Sequence, residues 1–214
     1  MVKIERTPKP ENYDITSDEF LEILIKDCYD KCYICEQTDF TDAEKEHITA
    51  HLNKDHRLKN DWNNILLSCS HCNGIKSTDR IIDCTNIDPE EYIELRYEND
   101  TLEFKENIFV EIKDKNKYTE FLYETIDILK RVYNSDKPAL TKRNSRTLRS
   151  KVNKELTEFR KNLDTYISET DDILKRHHFY KMKQLLQLNV QFAAFKRQII
   201  RDNKYLFEVF LESE

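Results

Sequence analysis

Apolar residues recur at helical intervals through the second half of this chain. Tyr118, Phe121, Leu122, Leu129 and Val132 form one stripe, and Leu148, Val152, Leu156, Phe159, Leu163 and Ile167 a second. Leu174, Phe179, Met182, Leu185 and Leu186 predict a third helix, and Phe192, Phe195 and Ile199 a fourth that can be continuous with it. The span from Asn134 to Pro138 breaks the first two, because proline disfavours a helical residue before it. Near the start, Phe20, Ile23, Leu24 and Cys28 predict a helix over about Asp18 to Tyr29, with capping-box spacing from Thr16 to Glu19. Tyr92 to Tyr97 partly alternate, Glu98, Asn99 and Asp100 offer turn chemistry, and Leu102 and Phe104 alternate again, which reads as a hairpin. The pattern is α+β and mainly α.

Composition narrows what such a chain can do. Gly74 is the only glycine among 214 residues, which excludes the glycine-rich phosphate cradles of Rossmann and P-loop proteins. No apolar run approaches the roughly twenty residues of a membrane span, and the polar N-terminus, Met1 to Asn12, carries no export signal, so a cytoplasmic protein without a membrane is expected. The net charge of −6 argues against a protein that coats nucleic acid. Its distribution is uneven. Lys130 to Lys161 holds eleven basic residues against three acidic ones, a segment suited either to guiding nucleic acid or to a solvated helix face. The tail from Tyr205 to Leu211 has five apolar positions, to be covered by its own helical core or by another chain.

The region from Lys31 to Thr85 lacks helical periodicity, yet it holds five of six cysteines and four of six histidines. Cys32 and Cys35 stand in KCYICE, and Cys69 and Cys72 in SCSHCN, with 33 residues between the pairs. Two CxxC pairs in a reducing compartment point to one tetrahedral structural Zn²⁺ with no open position for substrate. A rival set, Cys32, Cys35, His47 and His51, lies near Cys₂His₂ spacing but strands the second pair. Cys28 is a core thiol or a substitute ligand, and Cys84 a core thiol. His177 and His178 are adjacent on a helix, so they face different directions and do not share a metal.

Between the cysteine pairs stand KEHITAH and DWNNILLSC, and the second pair runs on as CNGIK. Here the sequence resembles the HNH endonuclease family. Glu46 and His47 match the first element of the ββα-metal motif, Asn64 lies five residues before Cys69, and Asn73 follows Cys72 with Lys76 one turn later. Ala50 stands where family members often have proline. The resemblance implies a phosphodiesterase with His47 as general base and Asn64 as the residue that orients it. Glu46 and Asn73 would ligate a catalytic Mg²⁺ or Mn²⁺, oxygen donors suited to a hard cation, and Lys76 would contact a phosphate. His51 and His56 join the site or lie in solvated loop.

The opening VKIERTPKP, the DPEEYIEL and ETIDIL segments and the tail FAAFKRQIIRDN are similar to a narrower group, the HNH nuclease subunit of the Septu anti-phage system, found also with some retrons. That likeness implies an ABC/SMC-like ATPase partner and a role as effector nuclease in antiviral defence. The expected organisation is an N-terminal helix plus a zinc-bound HNH module over residues 1–90, then a hairpin and helical bundle over 91–214. DNA is the favoured substrate and RNA, including tRNA, a possible one. The competing reading is a zinc-ribbon module that binds nucleic acid or protein without catalysis.

Overall fold

A computed structural model describes residues 1–52, 54–100, 105–114, 116 and 119–212. Two small antiparallel sheets are embedded among helices, an α+β architecture that is mainly helical. Helix α1 (Asp18–Asp27) is capped by Ser17, whose Oγ accepts from the Phe20 amide, one residue later than the Thr16 spacing predicts. It stops at Asp27 rather than Tyr29 because Tyr29 and Asp30 both adopt positive φ, which a right-handed helix cannot continue. That left-handed pair turns the chain directly into the first cysteine pair.

Strand β1 (Ala43–His47) pairs with β2 (Ile65–Cys69) so that Ala43 faces Cys69, Glu46 faces Leu66 and His47 faces Ile65. Every residue of β2 is buried, because α1 covers one face of it and α3 (Ser70–Lys76) the other. The link between the strands carries a single turn of helix, α2 (His56–Lys59), capped by Asp55, and a 3₁₀ turn from Trp62 to Asn64. Trp62 is buried and donates from Nε1 to the Thr7 carbonyl, while Arg6 reaches the Trp62 carbonyl and the Asp27 carboxylate. The N-terminal segment is therefore structural. Met1, Val2 and Ile4 lie in the core, which the overall polarity of Met1 to Asn12 conceals.

Strands β3 (Ile93–Asp100) and β4 (Lys105–Ile112) form the expected hairpin. Glu98, Asn99 and Asp100 continue β3 instead of making the turn, and Leu102 and Phe104 lie outside the described residues. Helix α4 (Glu120–Asn134) begins after its cap Thr119; Tyr118 is outside the described residues. At its other end the Asn134 side chain accepts from the Ile108 amide and donates to the Ile108 carbonyl, standing in for a strand at the edge of β4. Helix α5 (Ala139–Ser168) then buries Leu148, Val152, Leu156, Phe159 and Leu163, as their spacing predicts, whereas Ile167, the last of that stripe, is exposed at the end of the helix.

Helices α6 (Asp172–Leu185) and α7 (Ala193–Arg201) are separate, broken where Phe192 takes a positive φ, and α8 (Lys204–Phe210) follows. Leu206, Phe210 and Leu211 pack with Phe159, Leu163 and Met182, so much of the tail is covered by its own bundle, leaving Tyr205 exposed. The larger core runs without interruption from Met1 to Phe195, across the expected boundary near residue 90. Among the described residues no helix is long and apolar enough to cross a membrane.

Candidate metal centre and the polar site beside it

The first cysteine pair is shaped by its backbone. Glu36 takes a positive φ and its amide bonds the Cys32 carbonyl at 2.8 Å, closing a tight turn that brings Cys32 and Cys35 to one side. The Tyr33 amide donates to the Leu67 carbonyl at 3.0 Å, tying this turn to β2. The second pair comes from the junction of β2 and α3, with Cys69 at the helix N-cap and Cys72 in its first turn. Asp42, just before β1, accepts from the Ser70 amide and hydroxyl and fixes that junction. His71 reaches the Val132 carbonyl and Tyr133 the Cys35 carbonyl, so α4 braces both pairs.

All four Sγ atoms lie within 4.8 Å of one another, and all four residues are buried. Burial and the neighbouring thiols push Cys35 and Cys72 far above the usual thiol range. At Cys32 burial acts in the same direction, but hydrogen bonds with Cys35, Cys69 and Cys72 outweigh it and hold that thiol well below. Four thiols packed this closely cannot all ionise without a cation among them, and a tetrahedral S₄ donor set fits Zn²⁺. Cys28 is outside this cluster: its Sγ accepts from the Leu67 amide, and burial pushes the thiol up to about 12. His47 and His51 are outside it too, so the Cys₂His₂ set is not the one assembled.

The polar site lies on the same strand–strand–helix unit. Alternation along β1 sends Glu44 and Glu46 toward α3, where Asn73 Nδ2 donates to Glu44 and Lys76 Nζ lies 2.8 Å from Glu46 Oε1. Lys45 points the other way, to the Ile15 and Ser17 carbonyls at the start of α1. Burial raises the Glu46 carboxyl above the usual range, against the pull of Lys76. Lys76 is itself completely buried, so it faces Glu46 rather than a phosphate in solvent. Asn73 meets Glu44, a residue with no motif signal beyond its position two before Glu46. With its amide nitrogen turned to Glu44, Asn73 keeps its Oδ1 as an oxygen donor; together with the two carboxylates this set fits a hard divalent cation, although Lys76 already neutralises Glu46.

His47 ends β1 on the Lys45 side and is half-buried. Its Nε2 sits 3.0 Å from the Lys59 carbonyl, which can only accept. The proton therefore resides on Nε2, and a neutral ring carries its lone pair on Nδ1. The His51 ring stands edge-on to it at 4.6 Å, while His56 is exposed on α2. Asn64 is buried without touching the imidazole. Its Oδ1 accepts from the Thr49 amide at 2.8 Å, and its Nδ2 donates to the Thr49 and Leu58 carbonyls at 2.9 and 3.0 Å. It thus clamps both ends of the loop that leaves His47 and returns with Lys59, and this clamp holds the turn beside Ala50. Compared with known proteins, the chain matches no family model, no curated protein and no solved structure.

Proposed function

We propose that this chain is a metal-dependent endonuclease of the HNH type, hydrolysing phosphodiester bonds of nucleic acid. The observation that carries this reading is the fixed imidazole of His47. A thiol-only metal site needs none of Glu46, His47, Asn64 or Asn73, yet Lys59 orients the ring and Asn64 clamps the loop that carries Lys59. His47 Nδ1 takes the proton of an attacking water, a role that contributes roughly 10²–10⁴ in rate. Glu46 and Asn73, with Glu44 beside them, would hold Mg²⁺ or Mn²⁺, and a cation there would supply charge neutralisation at phosphorus and at the departing oxygen. The cysteine cluster keeps the two strands and α3 in register and takes no part in the reaction.

The likeness to the Septu nuclease subunit extends the proposal to an effector in anti-phage defence, acting with an ABC/SMC-like ATPase, and purification with any co-eluting chain tests that extension. Two observations favour a second reading, a zinc-ribbon module that only binds: the Lys76 ammonium neutralises the carboxylate assigned to the cation, and alternation along β1 turns His47 to the face opposite Glu46 and Asn73. Incubating the purified protein with plasmid DNA and with total RNA, with Mn²⁺ and with chelator, separates the two. Cation-dependent cleavage supports the nuclease, and its substrate settles DNA against RNA. Retention of nucleic acid without cleavage under any of these conditions supports the binding module.

A further inference from the structure

We infer that the solvent face of α5 is a track for the phosphate backbone of duplex nucleic acid; the inference takes its ligand class from the nuclease reading. Opposite the buried stripe of α5, the 100° turn per residue aligns Arg143, Arg146, Ser150, Lys154, Thr157 and Lys161. All six are exposed, and they extend about 27 Å along the helix at 1.5 Å per residue. Lys142 and Arg160 flank the row. Among the described residues the side-chain charges of these six cations, Lys142, Arg143, Arg146, Lys154, Arg160 and Lys161, have no ion-pair or hydrogen-bond partner.

Two features set this row apart from an ordinary solvated face. A surface helix normally intersperses acids at i+4 among its cations. The six positions of this row hold no acid, and the two acids at i+4 to its cations, Glu158 after Lys154 and Asp164 after Arg160, make no ion pair with them among the described residues; Glu158 accepts from Asn162 instead. Cations on the sides of the same helix are spent internally: Arg149 bonds the Tyr133 carbonyl and Lys151 the Gln37 side chain. The helix also bears its first cations against its own dipole. No acid occupies the first turn of α5 and no side chain caps it, while Lys142, Arg143 and Arg146 crowd the end where positive charge is least favourable. The fold thus concentrates a positive field at a cost to helix stability.

The chemistry of the row says what it recognises. Cations and hydroxyls contact phosphate and sugar, whereas single strands are held on aromatic platforms. The aromatics of α5, Phe159 and Tyr166, are both buried, so nothing on the row stacks on a base. A phosphate backbone that keeps its bases paired is the matching ligand, read without sequence preference.

The test is binding of a 30-base-pair duplex by the full chain with its zinc in place and no Mg²⁺ or Mn²⁺ added, so that no cleavage intervenes, across a series of salt concentrations. The variant Arg143→Glu/Arg146→Glu/Lys154→Glu/Lys161→Glu alters exposed positions only, and Arg176→Glu/Lys181→Glu on α6, with half its charge change, is the control, against which the loss is compared per reversed charge. We expect the row variant to lose at least tenfold in affinity and to flatten the plot of log K against log salt by about 3–4, near 0.9 per lost phosphate contact, with the control unchanged. Wild-type slope in the row variant, equal loss per reversed charge in the control, tighter binding of single strands, or no duplex binding by the native chain would each overturn it. Row-dependent binding by a chain that never cleaves would keep the track and sink the nuclease; cleavage with row-independent binding would do the reverse.

Discussion

Lys76 Nζ lies 2.8 Å from Glu46 Oε1, and the lysine is entirely out of solvent. This pair joins β1 to α3 beside the cysteine cluster. Removing one partner leaves an uncompensated buried charge, so Lys76→Met should cost about 3–5 kcal/mol in urea unfolding. Adding Glu46→Gln to that variant should recover most of the loss. A neutral Lys76→Met would show that the pair does not hold the helix to the strand.

Asn64 makes three hydrogen bonds to the backbone of the loop next to His47. Asn64→Asp keeps the shape but turns an oxygen toward the Thr49 and Leu58 carbonyls, and should cost about 1–3 kcal/mol. Zinc content should stay at one per chain, since the cysteines are untouched. A melting temperature equal to the native one would mean that the loop is held by something else.

The helix interior tolerates more than the single glycine suggests. Gly74 has no positive φ, and a Cβ there would meet nothing within 4 Å. Gly74→Ala should therefore stabilise the protein by about 0.5–1 kcal/mol through the entropy of the unfolded chain, read as a rise of about 1–4 °C in Tm. A fall in Tm would reveal a contact at this face.

Glu36 is buried with its Oε1 2.7 Å from the Met1 amine, its Oε2 3.5 Å from Lys31 Nζ and the Ala194 amide donating to it. Burial alone would raise this carboxyl, but the amine and Lys31 outweigh it and hold it below the usual range. A folded value below the unfolded one means that the stability it contributes is present above about pH 4.3, the ordinary value, and is lost as pH falls through the folded value. Glu36→Gln should be less stable at neutral pH and show a shallower acid loss than the native chain. An acid profile of unchanged slope would remove this role.

The cysteine cluster was legible because CxxC spacing is local and four thiols in one chain have few other uses. Helical stripes such as Leu148 to Leu163 were legible for the same reason, as was the break before Pro138. What escaped depends on contacts between distant residues. Glu44 meets Asn73 only because β1 pairs in one register with β2 and α3 folds back across it. Lys76, expected to contact a phosphate, is buried only because α3 docks on β1, and the polar segment Met1 to Asn12 hides the core residues Met1, Val2 and Ile4, which are placed when the Ile4 amide bonds the Cys84 carbonyl. The turn expected at Glu98 to Asp100 was displaced because pairing with β4 extends the strand through residues of poor strand propensity.

In the proposed nuclease the His47 imidazole does chemistry while the thiol cluster holds the fold, and His47→Ala measures both at once. The variant should keep one zinc per chain and a Tm near the native value, while cation-dependent cleavage falls at least 100-fold. Cleavage at the native rate, or loss of zinc together with the imidazole, would contradict the account.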